Sequence, residues 1–207
     1  MMELAQRLLE GDQRTLARVL SLLERGDPEA VQVLKAIDRH SGRACIVGIT
    51  GPPGVGKSTI ADRLTKLIRQ QGLTVGIVAV DPTSPFTGGA LLGDRIRMQR
   101  HSLDSGVFIR SVTTRGQAGG LPRVVKAMVR LLDAAGKEVI LVETAGVGQT
   151  ELAVMGVADT VVVTLMPESG DVIQALKAGI MEIADIYLVN KADRAGVNQM
   201  ATAITAM

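Results

Sequence analysis

Residues 51–59 read GPPGVGKST, in which Gly51, Gly56, Lys57 and Ser58 satisfy the pattern G-x-x-x-x-G-K-S/T. An apolar run precedes this stretch and a helical pattern follows it, which is the context of a phosphate-binding loop. The glycines let consecutive backbone N–H groups point into one concavity, and the helix start adds its positive dipole end. Lys57 offers a charge to the β- and γ-phosphates, and the Ser58 hydroxyl is a Mg²⁺ ligand. The residues predicted to bind the nucleotide here are Gly51, Pro52, Pro53, Gly54, Val55, Gly56, Lys57, Ser58 and Thr59.

A second motif, Asn190-Lys191-Ala192-Asp193, follows a late apolar run and has the form N-K-x-D. A carboxylate at Asp193 can accept both the ring N1–H and the exocyclic amino proton of guanine. Adenine lacks this pair of donors, so a buried Asp193 would be left unpaired against it. Lys191 can pack its aliphatic stem on the purine face, and Asn190 would brace the loop. The motif therefore predicts GTP and GDP as the ligands.

Three acidic residues are candidates to hold Mg²⁺ together with Ser58. Glu143 ends the apolar run EVILVE, which we expect to lie beside the strand that leads into the phosphate loop. Asp81 ends the run TVGIVAV, although it can equally cap a turn before Pro82. Asp94 lies in the stretch GGALLGDRIRM. The candidate metal ligands are therefore Ser58, Asp81, Asp94 and Glu143.

The nucleotide chemistry predicted from these motifs is hydrolysis of GTP to GDP and phosphate, with water attacking in line. Gly146 follows Glu143 closely, and its amide is expected to face the γ-phosphate. Gln149 and Glu151 are candidates for orienting the attacking water. The γ-phosphate would hold the loops 81–95 and 144–151 in one arrangement and release them after hydrolysis.

The elements that must position these residues alternate along the chain. The predicted strands are 44–50, 74–80, 106–112, 138–144, 159–166 and 185–190, and the predicted helices are 57–71, 93–101, 121–135, 149–156 and 171–183. Strands that are apolar throughout and separated by helices predict a doubly wound α/β fold with a mostly parallel sheet. Residues 1–42 show Leu, Val and Ile at helical spacing, which predicts two or three short helices before a P-loop domain at 43–207.

Composition narrows the classes of function. The 207 residues carry 23 basic and 21 acidic side chains, and Phe86, Phe108 and Tyr187 are the only aromatics. Neither a basic excess nor aromatic stacking residues are present, so nucleic-acid binding is not expected. The single cysteine, Cys45, is predicted to be buried and inert, and it fits a reducing cytoplasm. No apolar run is long enough to cross a membrane.

The residues also resemble one family, the methylmalonyl-CoA mutase-associated GTPases known as MeaB, MMAA or ArgK. The matching stretches are GITGPPGVGKST (48–59), VAVDPTSPFTGGALLGDRIRM (78–98), RGQAGGL (115–121), VETAGVGQTE (142–151), PESGDVIQALKAG (167–179) and NKAD (190–193). The resemblance implies a GTPase that gates adenosylcobalamin delivery to the mutase and protects that enzyme. It also implies a Mg²⁺ and switch cluster of Asp81, Asp94 and Glu143, and a third switch loop containing Lys177.

Members of that family continue past the equivalent of Met207, with a second guanine loop and a C-terminal arm that forms a homodimer. The resemblance therefore implies a chain shortened at its C-terminus. Three alternatives stay open. A nickel-insertion GTPase of the same branch would need Cys/His clusters, whereas this chain has one Cys and two His. An ATP-dependent small-molecule kinase and a non-catalytic nucleotide-binding fragment are the others.

Overall fold

The structure, a computed structural model, describes residues 2–81, 101, 103–113, 121–144, 146, 152, 155–167 and 179–206. Its centre is a six-stranded sheet in which every strand is parallel to its neighbours. The strands are β1 (Cys45–Thr50), β2 (Val75–Asp81), β3 (Val107–Thr113), β4 (Val139–Thr144), β5 (Thr160–Leu165) and β6 (Ile186–Val189). Their order across the sheet is β3-β2-β4-β1-β5-β6. The predicted doubly wound α/β class is confirmed.

Six α-helices are described around this sheet. They are α1 (Met2–Leu9), α2 (Gln13–Glu24), α3 (Pro28–Ile37), α4 (Lys57–Gln70), α5 (Leu121–Ala134) and α6 (Val197–Thr205). Short 3-10 helices follow at Asp38–His40 and Ile180–Ile183. No α-helix was predicted where α6 lies, and 180–183 is a 3-10 helix where an α-helix was predicted. Most residues of the predicted helices 93–101, 149–156 and 171–183 lie outside the described residues.

The N-terminal segment folds as three helices, as its sequence pattern predicted, and two of them are capped by aspartates. Asp12 and Asp27 are the N-caps of α2 and α3, and their carboxylates accept hydrogen bonds from the amides of Arg14 and Glu29 at 3.0 and 2.9 Å. Pro28 occupies the first turn of α3, where a missing N–H costs nothing. Thr15 and Arg7 also donate to Asp12, and these bonds lower the pKa of its carboxyl to about 2.

The alternation of side chains along each strand divides the interior into two cores. The larger core lies on the face covered by α5, and it includes buried side chains from α1, α2 and α3, such as Leu8, Leu16 and Val33. The smaller core lies under α4 and consists of Ile49, Ala61, Val75, Ile77, Val107 and Leu141. The N-terminal helices are therefore part of the larger core.

Two sets of polar contacts connect the helices to the amino end of the sheet. The buried carboxylate of Asp133 in α5 accepts hydrogen bonds from the consecutive backbone amides of Gly42, Arg43 and Ala44, just before β1. At the end of α4, Arg69 makes two hydrogen bonds of 2.9 and 3.0 Å to Asp104, which precedes β3. The bonds from Arg69 lower the pKa of the Asp104 carboxyl. These contacts fix α4 and β1, the two elements that flank the phosphate loop.

Two expectations about burial are wrong. Cys45 is exposed, because β5 begins at Thr160, opposite Val47, and so leaves the start of β1 without a neighbour on that side. The apolar run of β6 is not covered on both faces either, since Ile186 is 50% exposed on this edge strand. Among the described helices, none is long and apolar enough to cross a membrane.

Candidate functional site

The glycine loop 51–56 leaves β1 at the carboxyl edge of the sheet and turns into α4 at Lys57. Gly51 has φ 137°, and a Cβ placed there would lie 2.0 Å from the backbone oxygen of Thr164 in β5. Only glycine allows both this conformation and this approach. The loop is therefore seated directly against the neighbouring strand, at the edge where ligands bind in parallel α/β sheets.

Lys57 begins α4 and lies over the loop that precedes it. Its Nζ donates to the backbone oxygens of Gly51 at 2.7 Å and Pro52 at 2.9 Å, and the residue is only 6% exposed. A buried ammonium group is costly unless it is surrounded by hydrogen-bond acceptors. The loop carbonyls thus hold a positive charge at the N-terminus of α4, where the helix dipole also favours anions.

Ser58 and Glu143 meet between α4 and the end of β4. The Ser58 hydroxyl donates to Glu143 Oε1 at 2.6 Å, and both residues are buried. Glu143 points toward α4 because it alternates along β4 with Val142 and Thr144, which point to the other face. A hydroxyl and a carboxylate oxygen are the hard donors that Mg²⁺ prefers. Within the described ranges, no group of three or more carboxylate, histidine or cysteine side chains could hold a metal.

Gly146 brings the chain after β4 back to the phosphate loop. It has φ 90°, and a Cβ there would lie 2.4 Å from the Gly51 oxygen, 2.8 Å from Lys57 Nζ and 2.9 Å from the Pro53 nitrogen. The backbone at Gly146 is therefore in contact with both the loop and its lysine. That the Gly146 amide faces the terminal phosphate stays a prediction.

The N-K-x-D loop is hydrogen-bonded to the phosphate loop. Asn190 Nδ2 donates to the Val55 oxygen at 2.7 Å, and Lys191 Nζ donates to the Gly54 oxygen at 2.8 Å. Lys191 also has φ 55°, a conformation uncommon for residues other than glycine. The two motifs thus form one surface, although 134 residues separate Gly56 from Asn190 in the sequence.

Some predicted residues differ from expectation or fall outside the described chain. Asp193 is exposed, whereas it was expected to be buried; it lies two residues beyond Lys191, whose side chain bonds to the phosphate loop. Asp81 is the last residue of β2, next to the end of β4, where Val80 pairs with Thr144. The remaining predicted site residues lie outside the described residues: Asp94, Gln149, Glu151 and Lys177.

Two site-proximal residues were not found from the sequence. Thr50, immediately before the glycine loop, and Thr144, immediately after Glu143, are both buried, and Thr144 Oγ1 donates to Thr50 Oγ1 at 2.9 Å. The available signal was a polar residue at the end of each of two otherwise apolar runs. The hydrogen bond from Lys191 to the Gly54 oxygen was also missed, because the Lys191 side chain had been expected to contact only the purine base.

A parallel α/β sheet with a glycine loop, a buried lysine and a serine at the start of the next helix defines a P-loop nucleotide-binding protein. The sequence model of the family "Methylmalonyl Co-A mutase-associated GTPase MeaB" matches residues 16–207. This chain belongs to that family of GTPases.

Individual relatives agree with this assignment. A candidate GTPase of Pyrococcus horikoshii is 57% identical over 196 residues, which cover 95% of this chain and 62% of the relative. GTPase ArgK of Escherichia coli is 39% identical and covers 92% of this chain and 59% of its own length. A solved structure described as a LAO/AO transport system kinase superposes with a TM-score of 0.74 at 31% identity, over 98% of this chain and 60% of its own. The chain thus spans about three fifths of the length of these relatives.

Proposed function

We propose that this chain binds GTP with Mg²⁺ and hydrolyses it to GDP and phosphate. The observation that carries the proposal is the direct bonding of the N-K-x-D loop to the phosphate loop through Asn190 and Lys191. This bonding holds the N-K-x-D loop, in which Asp193 would select guanine, against the phosphate loop. A strand-end turn with no role in nucleotide binding would not need two side-chain hydrogen bonds to the glycine loop.

The phosphate end of the site provides charge and donors in fixed positions. Lys57 would exchange its bonds to the Gly51 and Pro52 oxygens for phosphate oxygens, so its charge would lie where negative charge accumulates during transfer. The backbone amides of the loop and of Gly146 would donate to the same group. Because Lys57 is almost completely buried, its attraction for phosphate is weakly screened by water.

Ser58 and Glu143 are the described residues that would hold Mg²⁺. Their oxygens face each other at 2.6 Å in a buried setting, and both are oxygen donors of the kind that this ion accepts. When bound, the ion would neutralise charge between the β- and γ-phosphates. Asp81 and Asp94 remain proposed members of the same group, as do Gln149 for water and Lys177 for the third switch loop.

The base end of the site provides selectivity. Asp193 is exposed and lies two residues after Lys191, so it is accessible to a base that rests against the loop. Its carboxylate would accept two guanine N–H groups, whereas adenine would present no matching donors. GTP is therefore preferred to ATP in this proposal, which argues against the kinase alternative.

The biological role proposed is that of a switch serving an adenosylcobalamin-dependent methylmalonyl-CoA mutase. The description of the family supports this role, since it links these GTPases to that mutase. Hydrolysis would change the arrangement of the backbone around Gly146, and a partner would detect the change. Cofactor delivery, protection of the mutase and homodimer formation are parts of this proposal.

Calorimetric titration with GDP, a non-hydrolysable GTP analogue and ATP tests the binding proposal. Lys57→Ala should weaken GDP binding at least about 100-fold, the scale of a lost charged phosphate contact. Lys66→Ala is the matched control, because Lys66 is an exposed lysine of the same helix, and it should leave binding unchanged. Equal affinity of the two variants would contradict the phosphate site.

A second variant tests the base assignment. Asp193→Asn should lose guanine affinity and gain affinity for xanthosine diphosphate, because an amide can donate to the 2-oxo group of xanthine while a carboxylate cannot. Tighter binding of ATP than of GTP by the unaltered chain would overturn the assignment. Phosphate release measured with and without the mutase tests the partner.

A further inference from the structure

The hydroxyl pair of Thr50 and Thr144 lies at the carboxyl ends of two adjacent strands. Ile49 in β1 pairs with Glu143 in β4, so the residues one step further, Thr50 and Thr144, are also neighbours. Thr50 has no exposed surface and Thr144 is 2% exposed, and their hydroxyl oxygens are 2.9 Å apart. This bond lies on the α5 face of the sheet, opposite the Ser58–Glu143 contact.

Apolar side chains of the neighbouring strands flank this pair. Val142 and Val163, which lie on the same face of the sheet, are fully buried members of the larger core. Valine has nearly the same shape as threonine and would fill either position without a polar group to satisfy. The hydrogen bond from the Thr144 hydroxyl to the Thr50 hydroxyl therefore provides a directional link where apolar packing alone would fill the space.

The link joins the starting points of the two loops that meet at the phosphate site. Thr50 directly precedes Gly51, and Thr144 is two residues before Gly146. The Gly146 backbone in turn approaches the Gly51 oxygen and Lys57 Nζ. A change in the spacing of Thr50 and Thr144 would therefore move Gly146 relative to the loop, while the loop and Lys57 would keep their own contacts.

We propose that the Thr50–Thr144 hydrogen bond is a positioning contact that sets the approach of Gly146 to the phosphate loop and so distinguishes GTP from GDP. This inference rests on the proposed function, because it assigns the Gly146 amide to the γ-phosphate. The α- and β-phosphates, which GTP and GDP share, would be held by the glycine loop, with Lys57 at the β-phosphate in both nucleotides. Loss of the link therefore weakens GTP binding more than GDP binding.

The test compares Thr50→Val, Thr144→Val and the double variant with the unaltered chain. Each single variant leaves one buried hydroxyl without its partner and lowers the melting temperature, whereas the double variant leaves none and recovers part of the loss. The decisive quantity is the ratio of the dissociation constants for a non-hydrolysable GTP analogue and GDP. We expect this ratio to rise at least about fivefold in all three variants, which corresponds to one lost hydrogen bond.

Two further variants separate positioning from simple stabilisation. Thr144→Ser keeps a hydroxyl and should restore the ratio. Thr65→Val is the control, since it removes a buried hydroxyl that bonds only within α4, to the Ala61 oxygen, and it should leave the ratio unchanged. A ratio unchanged in the double variant, with both nucleotides bound, overturns this inference alone. Failure of the unaltered chain to bind either nucleotide overturns the proposed function and this inference together.

Discussion

The two faces of the sheet use the same strands for different purposes. On the α5 face, the strands pack against α5 and the three N-terminal helices in a large apolar core. On the α4 face, the described core has six buried apolar residues, and next to them lie the buried polar side chains of Lys57, Ser58 and Glu143. The predicted chemistry is therefore concentrated on the face with the smaller apolar core.

This difference has an energetic reason. Burying charged and hydroxyl groups costs free energy even when they are hydrogen-bonded, because they give up water. The apolar area buried under α5 offsets that cost, at roughly 25 cal/mol for each Å². We infer that apolar substitutions in the core of the α5 face will change mainly stability, and that substitutions of the polar side chains on the α4 face will change mainly nucleotide binding.

The largest expected effect is at the backbone of the phosphate loop. Gly51→Ala places a Cβ 2.0 Å from the Thr164 oxygen in a conformation that only glycine adopts readily, so it should cost about 4 kcal/mol of folding stability. Gly54→Ala is the control, because a Cβ there would have nothing within 4 Å. It should cost about 1 kcal/mol, from its positive φ alone. Denaturant unfolding measures both, and equal losses would show that the loop is not seated on β5.

The comparison of the two cores is tested directly by a matched pair of leucines. Leu132 of α5 is fully buried and packs over Gly76 of β2, whereas Leu64 of α4 is only partly buried. Leu132→Ala should lower the free energy of unfolding by about 3 kcal/mol and Leu64→Ala by about half of that. Denaturant unfolding followed by circular dichroism checks the difference. A larger loss at Leu64 would reverse the assignment of stability to the α5 face.

A third prediction concerns the link between α5 and β1. Asp133→Asn replaces one of the two oxygens that accept three consecutive amides with an NH₂ group, and it should cost about 2 kcal/mol. Asp159→Asn is the matched control, because exposed Asp159 accepts a single β1 amide, that of Ile46, at 2.8 Å. Thermal melts should show a clearly smaller shift for Asp159. Similar shifts would mean that the Asp133 carboxylate does not organise this connection.

The sheet and the phosphate loop could be predicted because their signals are local. Apolar runs, intervening helical patterns and the spacing of Gly51 and Lys57 each specify an element within a few residues. The contacts that complete the site are long-range, as in the bonds from Asn190 and Lys191 to the glycine loop and from Thr144 to Thr50. No spacing within one element predicts such bonds, since they depend on which strands become neighbours.

Burial was the least predictable property, for a similar reason. Cys45 and the residues of β6 have strand-like, apolar sequences, but their exposure depends on where neighbouring strands begin and on which strand forms the edge. The helix α6 was missed because residues 197–205 include several small and β-branched residues and form a short helix with one buried side chain, Met200.

The smallest expected effect is on the stability of α1 and α2, which pack on the α5 face of the sheet, and it depends on pH. Asp12 has its pKa lowered from 3.8 to about 2, first by the hydrogen bond from Thr15 and also by Arg7 and the Arg14 amide. Because the unfolded chain takes up this proton at higher pH than the folded chain, the ionised carboxylate stabilises the fold above about pH 4. That contribution is lost as the pH falls through about 2.

Asp12→Asn should therefore melt slightly below the unaltered chain at pH 7, and the gap should close between pH 4 and pH 2. A gap that stays constant over this range would show that the charge on Asp12 contributes nothing to the stability of the fold.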